Sequence, residues 1–401
     1  MVEVFKGSFT QQEPLPDDAI AAAVKVMKTG RLHRYNTLGD EASETALLEA
    51  EFAAMSGAKF CLAVASGGTA MATALRAVGV GPGDTVLTNA FTLAPVPGAI
   101  AAVGAAPVFI EVTDRLVIDL DDLRAKIEDH DAQFLLLSHM RGHIVDMDAL
   151  MAICDRAGIR VVEDCAHTMG AAWDGVTSGR HGLTACYSTQ TYKHLNSGEG
   201  GLIITDNPEL MARATILSGS YMLYGRHLAG PPKAVFDDIR LTTPNCSTRM
   251  DNLRAAILRP QLAQLPTQCA AWNARYARVE AGLRATPGLT VIERPEKETY
   301  VGSSIQFLVP EFSALMCADL LSRCAVRGVE LKWFGAARPT GFTSKHDSWR
   351  YAAAQALPQS DRVLAGLIDM RLPLTFSLED CDLLARIIRQ EVGTVYQSTR
   401  N

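Results

Sequence analysis

No long run of lysine or arginine residues occurs in this chain, and acidic residues outnumber basic ones by 44 to 38. With a net charge of −6, the protein lacks the basic surface that attracts nucleic acids. Uninterrupted apolar runs are missing too, because the longest, residues 90–109, is broken by prolines and glycines. We therefore expect no nucleic-acid partner and no membrane span. The first residues show no basic stretch followed by an apolar one, so we expect no secretory signal and a cytoplasmic protein.

Metal-binding and redox motifs are also missing from the sequence. The nine cysteines include no C-x-x-C pair, which argues against zinc and redox sites and predicts reduced thiols. His139 and His143 lie four residues apart, but Gly142 between them indicates a loop, and no third ligand is visible. We therefore expect no metal site.

Short β-rich segments alternate with helical patterns over the first half of the chain. This alternation predicts an α/β fold with a mostly parallel sheet that helices cover on both faces. Ligands of such sheets gather at the carboxyl ends of the strands. Four polar residues are predicted to lie there: Ser66, Asn89, His139 and Asp164.

The second half of the chain predicts a smaller unit. Residues 221–244 are rich in glycine, proline and aromatic residues, and their length indicates a functional loop. A helical pattern over residues 249–285 contains Pro260 and Pro266, which predict breaks or a kink. The segments that follow predict a small α+β domain. We divide the chain into an N-terminal arm (1–20), a large domain (21–260) and a small C-terminal domain (261–401).

A loop lysine, Lys193, has the neighbours that a covalent cofactor site needs. Ser188 lies five positions before it, and a glycine-rich turn, residues 198–201, follows it. Such a lysine can form a Schiff base with an aldehyde cofactor, and a carboxylate at a strand end, here Asp164, can keep a pyridine nitrogen protonated. Taken singly, Lys193 is typical of a solvated loop and Asp164 of a helix cap. Together they predict a site for pyridoxal phosphate (PLP).

Residues 66–69, Ser-Gly-Gly-Thr, lie between a predicted strand and a predicted helix. Glycines permit a close approach of the backbone, and the first N–H groups of a helix attract anions. By itself the segment is more typical of a tight turn with a capping side chain, whereas beside a Schiff-base lysine it predicts a phosphate site. His167 can contact the cofactor or be a core histidine, and the sequence leaves both open.

The ordered motifs resemble those of the DegT/StrS-type PLP sugar aminotransferases, which share the type I aspartate-aminotransferase fold. The matching segments are 30–31, 66–70, 81–84 with 91–92, 139–142 with 146–148, 163–167 with 170, 188–193 with 198–201, and 249–250 with 255–256. The resemblance implies a large domain with a mostly parallel, seven-stranded sheet between helices, and a smaller C-terminal α+β domain.

The resemblance also implies roles for individual residues. Lys193 would form the Schiff base with PLP, Asp164 would bind the pyridinium nitrogen, and His167 would touch the ring or its hydroxyl. The phosphate contacts fall on three residues: Gly68, Thr69 and Ser188.

Two positions depart from the family pattern. Members are typically homodimers with shared active sites, and a neighbouring chain usually supplies an asparagine to the phosphate. Here that position is Ser247, with Asn245 nearby. The aromatic residue that commonly covers the cofactor is replaced by Leu93, which reduces a stacking energy of about 0.5–1.5 kcal/mol.

The resemblance implies amino transfer from glutamate or glutamine to the ketone of a sugar, nucleotide sugar or cyclitol. A non-sugar ketone, and an aromatising reaction like that of aminohydroxybenzoate synthases, stay open as alternatives. Lys193 disfavours the dehydratase variant, which has histidine at this position, and a non-catalytic PLP sensor would not need Lys193, Asp164 and Ser188 together. A loop over residues 218–229 offers further candidate substrate contacts: Tyr221, Tyr224, Arg226 and His227.

Overall fold

The computed structural model describes residues 2–398. Its α-helices are α1 (Asp17–Thr29), α2 (Glu44–Ser56), α3 (Gly67–Ala77), α4 (Pro95–Ala102), α5 (Leu120–His130), α6 (Met147–Ala157), α7 (Pro208–Ser218), α8 (Phe236–Thr242), α9 (Asn252–Leu283), α10 (Ala314–Val326), α11 (Pro358–Ala365) and α12 (Leu378–Ser398). Its strands are β1 (Phe60–Val64), β2 (Thr85–Asn89), β3 (Ala106–Ile110), β4 (Phe134–Ser138), β5 (Arg160–Asp164), β6 (Ala172–Trp173), β7 (Val176–Thr177), β8 (Thr184–Ser188), β9 (Gly201–Thr205), β10 (Thr290–Val291), β11 (Glu298–Thr299), β12 (Ser304–Leu308), β13 (Lys332–Trp333) and β14 (Leu367–Arg371).

Many of the helices begin where a short polar side chain accepts a backbone N–H of the first turn, which satisfies a donor that has no partner within the helix. These capping residues are Ser43, Ser66, Asp119, Asp146, Asn207, Asp251 and Ser313. Within residues 2–398, no helix combines the length and the apolar content that a bilayer crossing requires.

Seven strands form the large sheet, in the order β1-β9-β8-β5-β4-β2-β3. Strands β8, β5, β4, β2 and β3 pair in parallel, whereas β9 runs antiparallel to both β8 and β1. The predicted α/β class and the mostly parallel, seven-stranded sheet are therefore confirmed.

Helices cover both faces of this sheet. In β1, Leu62 belongs to a core that includes residues of α3, α4 and α7. Its neighbours Cys61 and Ala63 belong to a second core, with residues of α2 and α9. Successive side chains of a strand point to opposite faces, so the side chains of an apolar strand such as β1 pack against helices on both faces of the sheet.

A four-stranded antiparallel sheet, β10-β12-β14-β13, forms the core of the C-terminal region together with α10 and α12. The predicted α+β character of this region is confirmed. Two residues of the N-terminal arm complete its core, because the rings of Phe5 and Phe9 lie 4.9 and 5.0 Å from that of Phe376. The arm is thus packed against the far end of the chain.

The helical pattern around Pro260 and Pro266 forms one helix, α9, of 32 residues. Of the predicted breaks or kink, the breaks do not occur, and the kink stays a prediction. Leu258 and Leu262 pack with the large sheet, and Val279 and Leu283 pack with the small one, so burial along the helix offsets the backbone hydrogen bonds that the prolines remove. The boundary predicted near residue 260 falls inside this helix, and the division into domains stays a prediction.

The segment 221–244 is less irregular than predicted. It contains two short 3-10 turns and the helix α8. The ring of Tyr224 stacks on that of Phe236, with centroids 4.1 Å apart, and this contact gives the segment a small core of its own with Ile239.

A buried ion pair joins the N-terminal part of the large domain to this segment. The Arg34 guanidinium donates to both carboxylate oxygens of Glu49 at 2.9 Å, and His227 Nδ1 lies 3.1 Å from the same carboxylate. Burial opposes ionisation of Glu49, but Arg34 and His227 outweigh it and lower the pKa of Glu49 to about 2. The Ala63 N–H also donates to Glu49, which ties the pair to β1.

Replacing Glu49 with glutamine should destabilise the protein, because the buried Arg34 charge would lose its partner. We expect the free energy of unfolding, measured by urea denaturation, to fall by about 3–5 kcal/mol. Glu41→Gln removes an exposed ion pair with Arg31 and serves as the matched control, with an expected change below about 1 kcal/mol. Equal effects of the two variants would contradict the role of the buried pair.

The same pair predicts a dependence on pH. Folding lowers the pKa of Glu49 from 4.5 to about 2, so its ionised form stabilises the fold fully above pH 4.5. This contribution should be lost as the pH falls from 4.5 towards 2. The difference in stability between the wild type and Glu49→Gln should therefore shrink over that interval.

Candidate functional site

A cavity of about 510 Å³ lies at the carboxyl ends of the parallel strands, between the large and the small sheet. Its walls come from both sheets and from the N-terminal arm. The lining residues that bear on its chemistry are Phe9, Ser66, Gly67, Gly68, Leu93, Pro95, Arg141, His167, Ser188, Gln190, Tyr192, Lys193, Glu199, Glu330, Lys332, Phe342 and Arg371. The volume is within the range of small-molecule sites, roughly 300–1,000 Å³.

Lys193 projects its amine into this cavity from the loop after β8. Its Nζ lies 3.0 Å from His167 Nε2. Burial lowers the pKa of Lys193 to about 7, and the cations Arg141, Arg371 and Lys332 add to the effect, whereas Asp164 opposes it. Near neutral pH, a large fraction of this amine is therefore unprotonated and nucleophilic.

Asp164 ends β5 and is 6% exposed. Its Oδ2 accepts a hydrogen bond of 2.9 Å from Ser138 Oγ, which in turn accepts one of 2.9 Å from Thr92 Oγ1. Its Oδ1 accepts from the Ala166 N–H at 3.1 Å. These contacts fix both oxygens of the carboxylate at the strand end.

His167 is buried next to Lys193. Burial lowers the pKa of His167 well below its usual range, and the positive charges of Lys193 and Arg141 act in the same direction. The imidazole is therefore neutral near pH 7, and its Nε2 can accept a hydrogen bond from the Lys193 amine.

The N-terminus of α3 opens onto the same cavity. Ser66 Oγ accepts from the Thr69 N–H at 3.1 Å, which caps the helix. Gly67 packs so closely on Ser188 that a Cβ at this position would lie 2.8 Å from Ser188 Cβ. The glycine thus brings the first turn of the helix next to Ser188, and the first N–H groups of a helix have no partner within it.

Gly68 and Leu93 also line the cavity, while the Thr69 side chain is engaged by the capping serine at 2.8 Å. The structure thus brings Lys193, His167, Gly68, Ser188 and Leu93 to one cavity, and Asp164 lies close enough to Lys193 to act on it electrostatically. Their roles toward a cofactor remain predictions.

Ser247 and Asn245 lie elsewhere on the surface. Asn245 Oδ1 accepts from the Ser247 N–H at 3.0 Å in an exposed turn, where Ser247 has a φ of 53°. Neither is among the described residues that line the cavity of the same chain.

The four candidate substrate residues of the loop are not brought to the cavity of the same chain either. Tyr224 packs on Phe236, and His227 is held in the buried cluster with Glu49. Arg226 donates to the Tyr35 carbonyl at 2.9 Å. Tyr221 is 60% exposed and lies 5.0 Å from the Arg249 guanidinium. The presence of aromatic and charged residues in this loop did not show whether their side chains pack within the protein or contact a substrate.

The two histidines of the loop after β4 have separate partners. His139 Nε2 lies 3.0 Å from Glu163 Oε2, and His143 Nε2 lies 2.9 Å from Gln306 Oε1. Glu163 also accepts the N–H groups of Gly179, His181 and Gly182. These hydrogen bonds to Glu163 hold the loop at residues 179–182 in place.

Several residues of the site were not predicted from the sequence. Ser138 donates to Asp164 and accepts from Thr92, and three cations line the cavity: Arg141, Lys332 and Arg371. Arg141 lies in the segment 139–142, which resembles the family, so the sequence offered a signal that this residue belongs to the site. Nothing in the sequence around Lys332 and Arg371 indicates that the small sheet directs them towards Lys193.

The chain was compared with known proteins. Residues 17–389 match the sequence model of the DegT/DnrJ/EryC1/StrS aminotransferase family. A dTDP-3-amino-3,4,6-trideoxy-alpha-D-glucose transaminase of Streptomyces venezuelae is 33% identical over 285 residues, which cover 69% of this chain and 68% of the relative. A protein of Geobacillus stearothermophilus named pleiotropic regulatory protein is 33% identical over 276 residues, or 67% of this chain and 68% of the relative.

Among solved structures, 3-amino-5-hydroxybenzoic acid (AHBA) synthase is similar with a TM-score of 0.82 and 25% identity, covering 96% of this chain and 99% of the synthase chain. The motifs that suggested the family from the sequence are thus confirmed by matches over nearly the whole chain. The chain belongs to the DegT/DnrJ/EryC1/StrS aminotransferase family.

Proposed function

We propose that the chain is a PLP-dependent aminotransferase that moves an amino group from glutamate or glutamine to the ketone of a sugar, nucleotide sugar or cyclitol. One observation carries the proposal: the Lys193 amine, with a pKa of about 7, shares a cavity with the N-terminus of α3 and lies near the Asp164 carboxylate. The named transaminase among its relatives supports a nucleotide-sugar acceptor.

The groups present fit PLP. The N-terminus of α3 and the hydroxyl of Ser188 offer donors for a phosphate, Asp164 offers a fixed carboxylate for a pyridinium N–H, and Lys193 offers an amine for an aldehyde. Leu93 would pack on the ring where relatives commonly have an aromatic residue. When bound, PLP would supply an electron sink for the bond broken at the α-carbon of the amino donor.

Lys193 would act as the proton carrier of the reaction. An amine with a pKa of about 7 accepts and releases a proton at neutral pH, as a general base that must also act as an acid requires. His167, neutral and 3.0 Å away, would orient this amine. Asp164 would stay in place through its bonds to Ser138 and Ala166 while it holds a proton at the ring nitrogen.

We also propose that the protein is a cytoplasmic homodimer with shared active sites. Ser247 and Asn245 are exposed and do not line the cavity of their own chain. This placement agrees with the role that the family resemblance implies, a contact to the neighbouring cofactor.

An aromatising reaction is the second candidate. The similarity to AHBA synthase extends over 96% of the chain, and such a reaction would use the same lysine. Product analysis by mass spectrometry separates the two, since an aromatising enzyme eliminates water from its substrate, whereas an aminotransferase leaves the hydroxyl groups of its acceptor in place.

Lys193→Ala should abolish the reaction, because no other group would replace the amine that binds the aldehyde and carries the proton. We expect the absorbance band of the protein loaded with PLP to shift, and its change on addition of L-glutamate or L-glutamine to disappear. Lys25→Ala, an exposed lysine of α1, is the control and should behave as the wild type. Normal turnover of Lys193→Ala would contradict the assignment. If the wild type binds PLP but its absorbance does not change with either donor, a sensory role would be favoured.

Asp164→Asn should lower kcat about 100- to 10,000-fold, the usual contribution of a proton-holding group. Ser138→Ala removes one hydrogen bond to Asp164, so we expect a smaller loss of about 2- to 10-fold. Single-turnover rates with the amino donor measure both effects. If Ser138→Ala were as damaging as Asp164→Asn, the ranking of the two residues would be wrong.

The lowered pKa of Lys193 predicts how its reactivity depends on pH. Acetic anhydride acylates only unprotonated amines, so labelling of Lys193 in the protein without PLP should rise through pH 7 and level off above it. Peptide mass spectrometry measures the labelling. A midpoint for Lys193 near 10.5, the ordinary value of a lysine, would show that burial does not control this amine.

A further inference from the structure

Lys193 lies near the tip of the loop that joins β8 to β9. Two backbone hydrogen bonds close the base of this loop. The Thr189 N–H donates to the Gly200 carbonyl at 2.9 Å, and the Thr191 N–H donates to the Gly198 carbonyl at 3.1 Å. These bonds shape the loop from within, but they do not fix its tip relative to the rest of the protein. The tip therefore depends on contacts with other elements.

A glutamine of helix α9, Gln261, makes one of these contacts. Its Oε1 accepts the Asn196 N–H at 3.0 Å, and its Nε2 donates to the Asn196 carbonyl at 2.9 Å. Nε2 also donates to the Ile257 carbonyl at 2.8 Å. The two bonds to Asn196 determine which end of the amide is the oxygen. One side chain thus pairs with both backbone groups of a loop residue, as a neighbouring strand would.

The helix gives Gln261 a fixed position. The residue is 4% exposed, and its neighbours Leu258 and Leu262 are buried in a core of the large sheet. A contact that starts from a packed helix is more precise than one that starts from a loop. The Asn196 side chain extends the constraint to the glycine-rich turn, because its Oδ1 accepts the Gly198 N–H at 3.0 Å.

A second contact holds the residue next to Lys193. His194 Nε2 lies 3.1 Å from Ser303 Oγ, and the His194 ring packs edge-on against Trp272 of α9, with centroids 5.1 Å apart. Burial lowers the pKa of His194 to about 3, and the Lys193 charge acts in the same direction. The imidazole is therefore neutral at the pH values at which Lys193 titrates, so its own protonation does not alter this contact there.

We propose that Gln261 and His194 are positioning residues, which keep the Lys193 amine inside the cavity by anchoring the loop on its C-terminal side. The inference rests on the proposed function, because it gives both residues a role that acts through Lys193. Among the described residues, neither lines the cavity. Their effect therefore comes from where they place the amine, which has to meet an aldehyde carbon in a defined geometry.

The surroundings of the amine predict what a loosened loop would do. Burial is the largest cause of the lowered pKa of Lys193, so a loop that admits water to the amine should raise this pKa. The two anchoring side chains are uncharged at neutral pH, and replacing them removes no charge. The titratable groups that face the amine would all remain, namely Asp164, His167, Arg141, Lys332 and Arg371.

Acylation of the PLP-free protein by acetic anhydride at a series of pH values tests the proposal without turnover. We expect Gln261→Leu to raise the labelling midpoint of Lys193 from about 7 towards 10.5, by about one pH unit or more. The midpoint reports the protonation of the amine and not the access of the reagent. A midpoint equal to that of the wild type would overturn the proposal.

Gln268→Leu is the matched control for this experiment. It changes the same residue type further along α9, where the Gln268 Oε1 is buried without a hydrogen-bond partner among residues 2–398. Its labelling midpoint should equal that of the wild type. A rise as large as that of Gln261→Leu would show that any change in this part of α9 exposes the amine, and would overturn the specific role of Gln261.

Ser303→Ala tests the second contact by a milder change, which also covers the case in which Gln261→Leu gives no folded protein by circular dichroism. The variant removes the hydroxyl beside His194 Nε2 and leaves the ring packed on Trp272. We expect the labelling midpoint of Lys193 to rise, but less than in Gln261→Leu. An unchanged midpoint would overturn the role of His194 and with it the proposed pair.

The donor half-reaction of the protein loaded with PLP gives a second readout. We expect Gln261→Leu to lower its maximal rate about 10-fold or more, since a misplacement of about 1 Å costs up to about 100-fold. The apparent dissociation constant of L-glutamate should change less than about 3-fold, because the residues that line the cavity are unchanged. A variant that only unfolds in part would lose amplitude and keep the rate and the labelling midpoint of the wild type, which would contradict a positioning role.

The two proposals fail in different ways. If the wild type takes no amino group from glutamate or glutamine, the proposed function fails, and the labelling midpoints still report whether Gln261 and His194 hold the amine. If amino transfer proceeds but Gln261→Leu changes neither the midpoint nor the rate, the positioning role fails and the aminotransferase stands.

Discussion

The lowered pKa of the Lys193 amine, which brings its titration close to neutral pH, is the property on which the rest of this site depends. A lysine in water has a pKa near 10.4, whereas the surroundings of Lys193 lower it to about 7. Burial is the main cause, and the cations around the amine add to it. Asp164 acts in the opposite direction, and its bonds to Ser138 and Ala166 hold it at the end of β5, where we propose that it binds the pyridinium of PLP.

These surroundings exist only because two sheets are held in a fixed relation. Arg141, from the large sheet, pairs with Asp369 of the small one. His143 bonds to Gln306 of the small sheet, which also donates to Asp369. Helix α9 spans both cores without a break. Since the cavity lies between the sheets, a shift of one against the other would move the cations relative to the amine.

Much of the large domain could be predicted from the sequence, because its signals are local. Short β-rich segments that alternate with helical patterns indicated a mostly parallel sheet, and the structure has that sheet. Where the prediction failed, tertiary packing outweighed a local rule. Pro260 and Pro266 do not end α9, since apolar residues along its length are buried on two different cores.

The sequence by itself determined which reactive groups are available: Asp164 and Ser188 end strands of one sheet, His167 and Lys193 follow these strands, and their order along the chain indicated the family. Only the tertiary structure decided which further side chains join them. In the folded chain His227 lies in a buried cluster with Glu49, and Lys332 and Arg371 of the small sheet line the same cavity as the Lys193 amine. The alternation of strands and helices along the sequence is enough to place the ends of parallel strands at one edge of a sheet. Contacts between two sheets depend on how their separate cores pack, and no local sequence pattern specifies this packing.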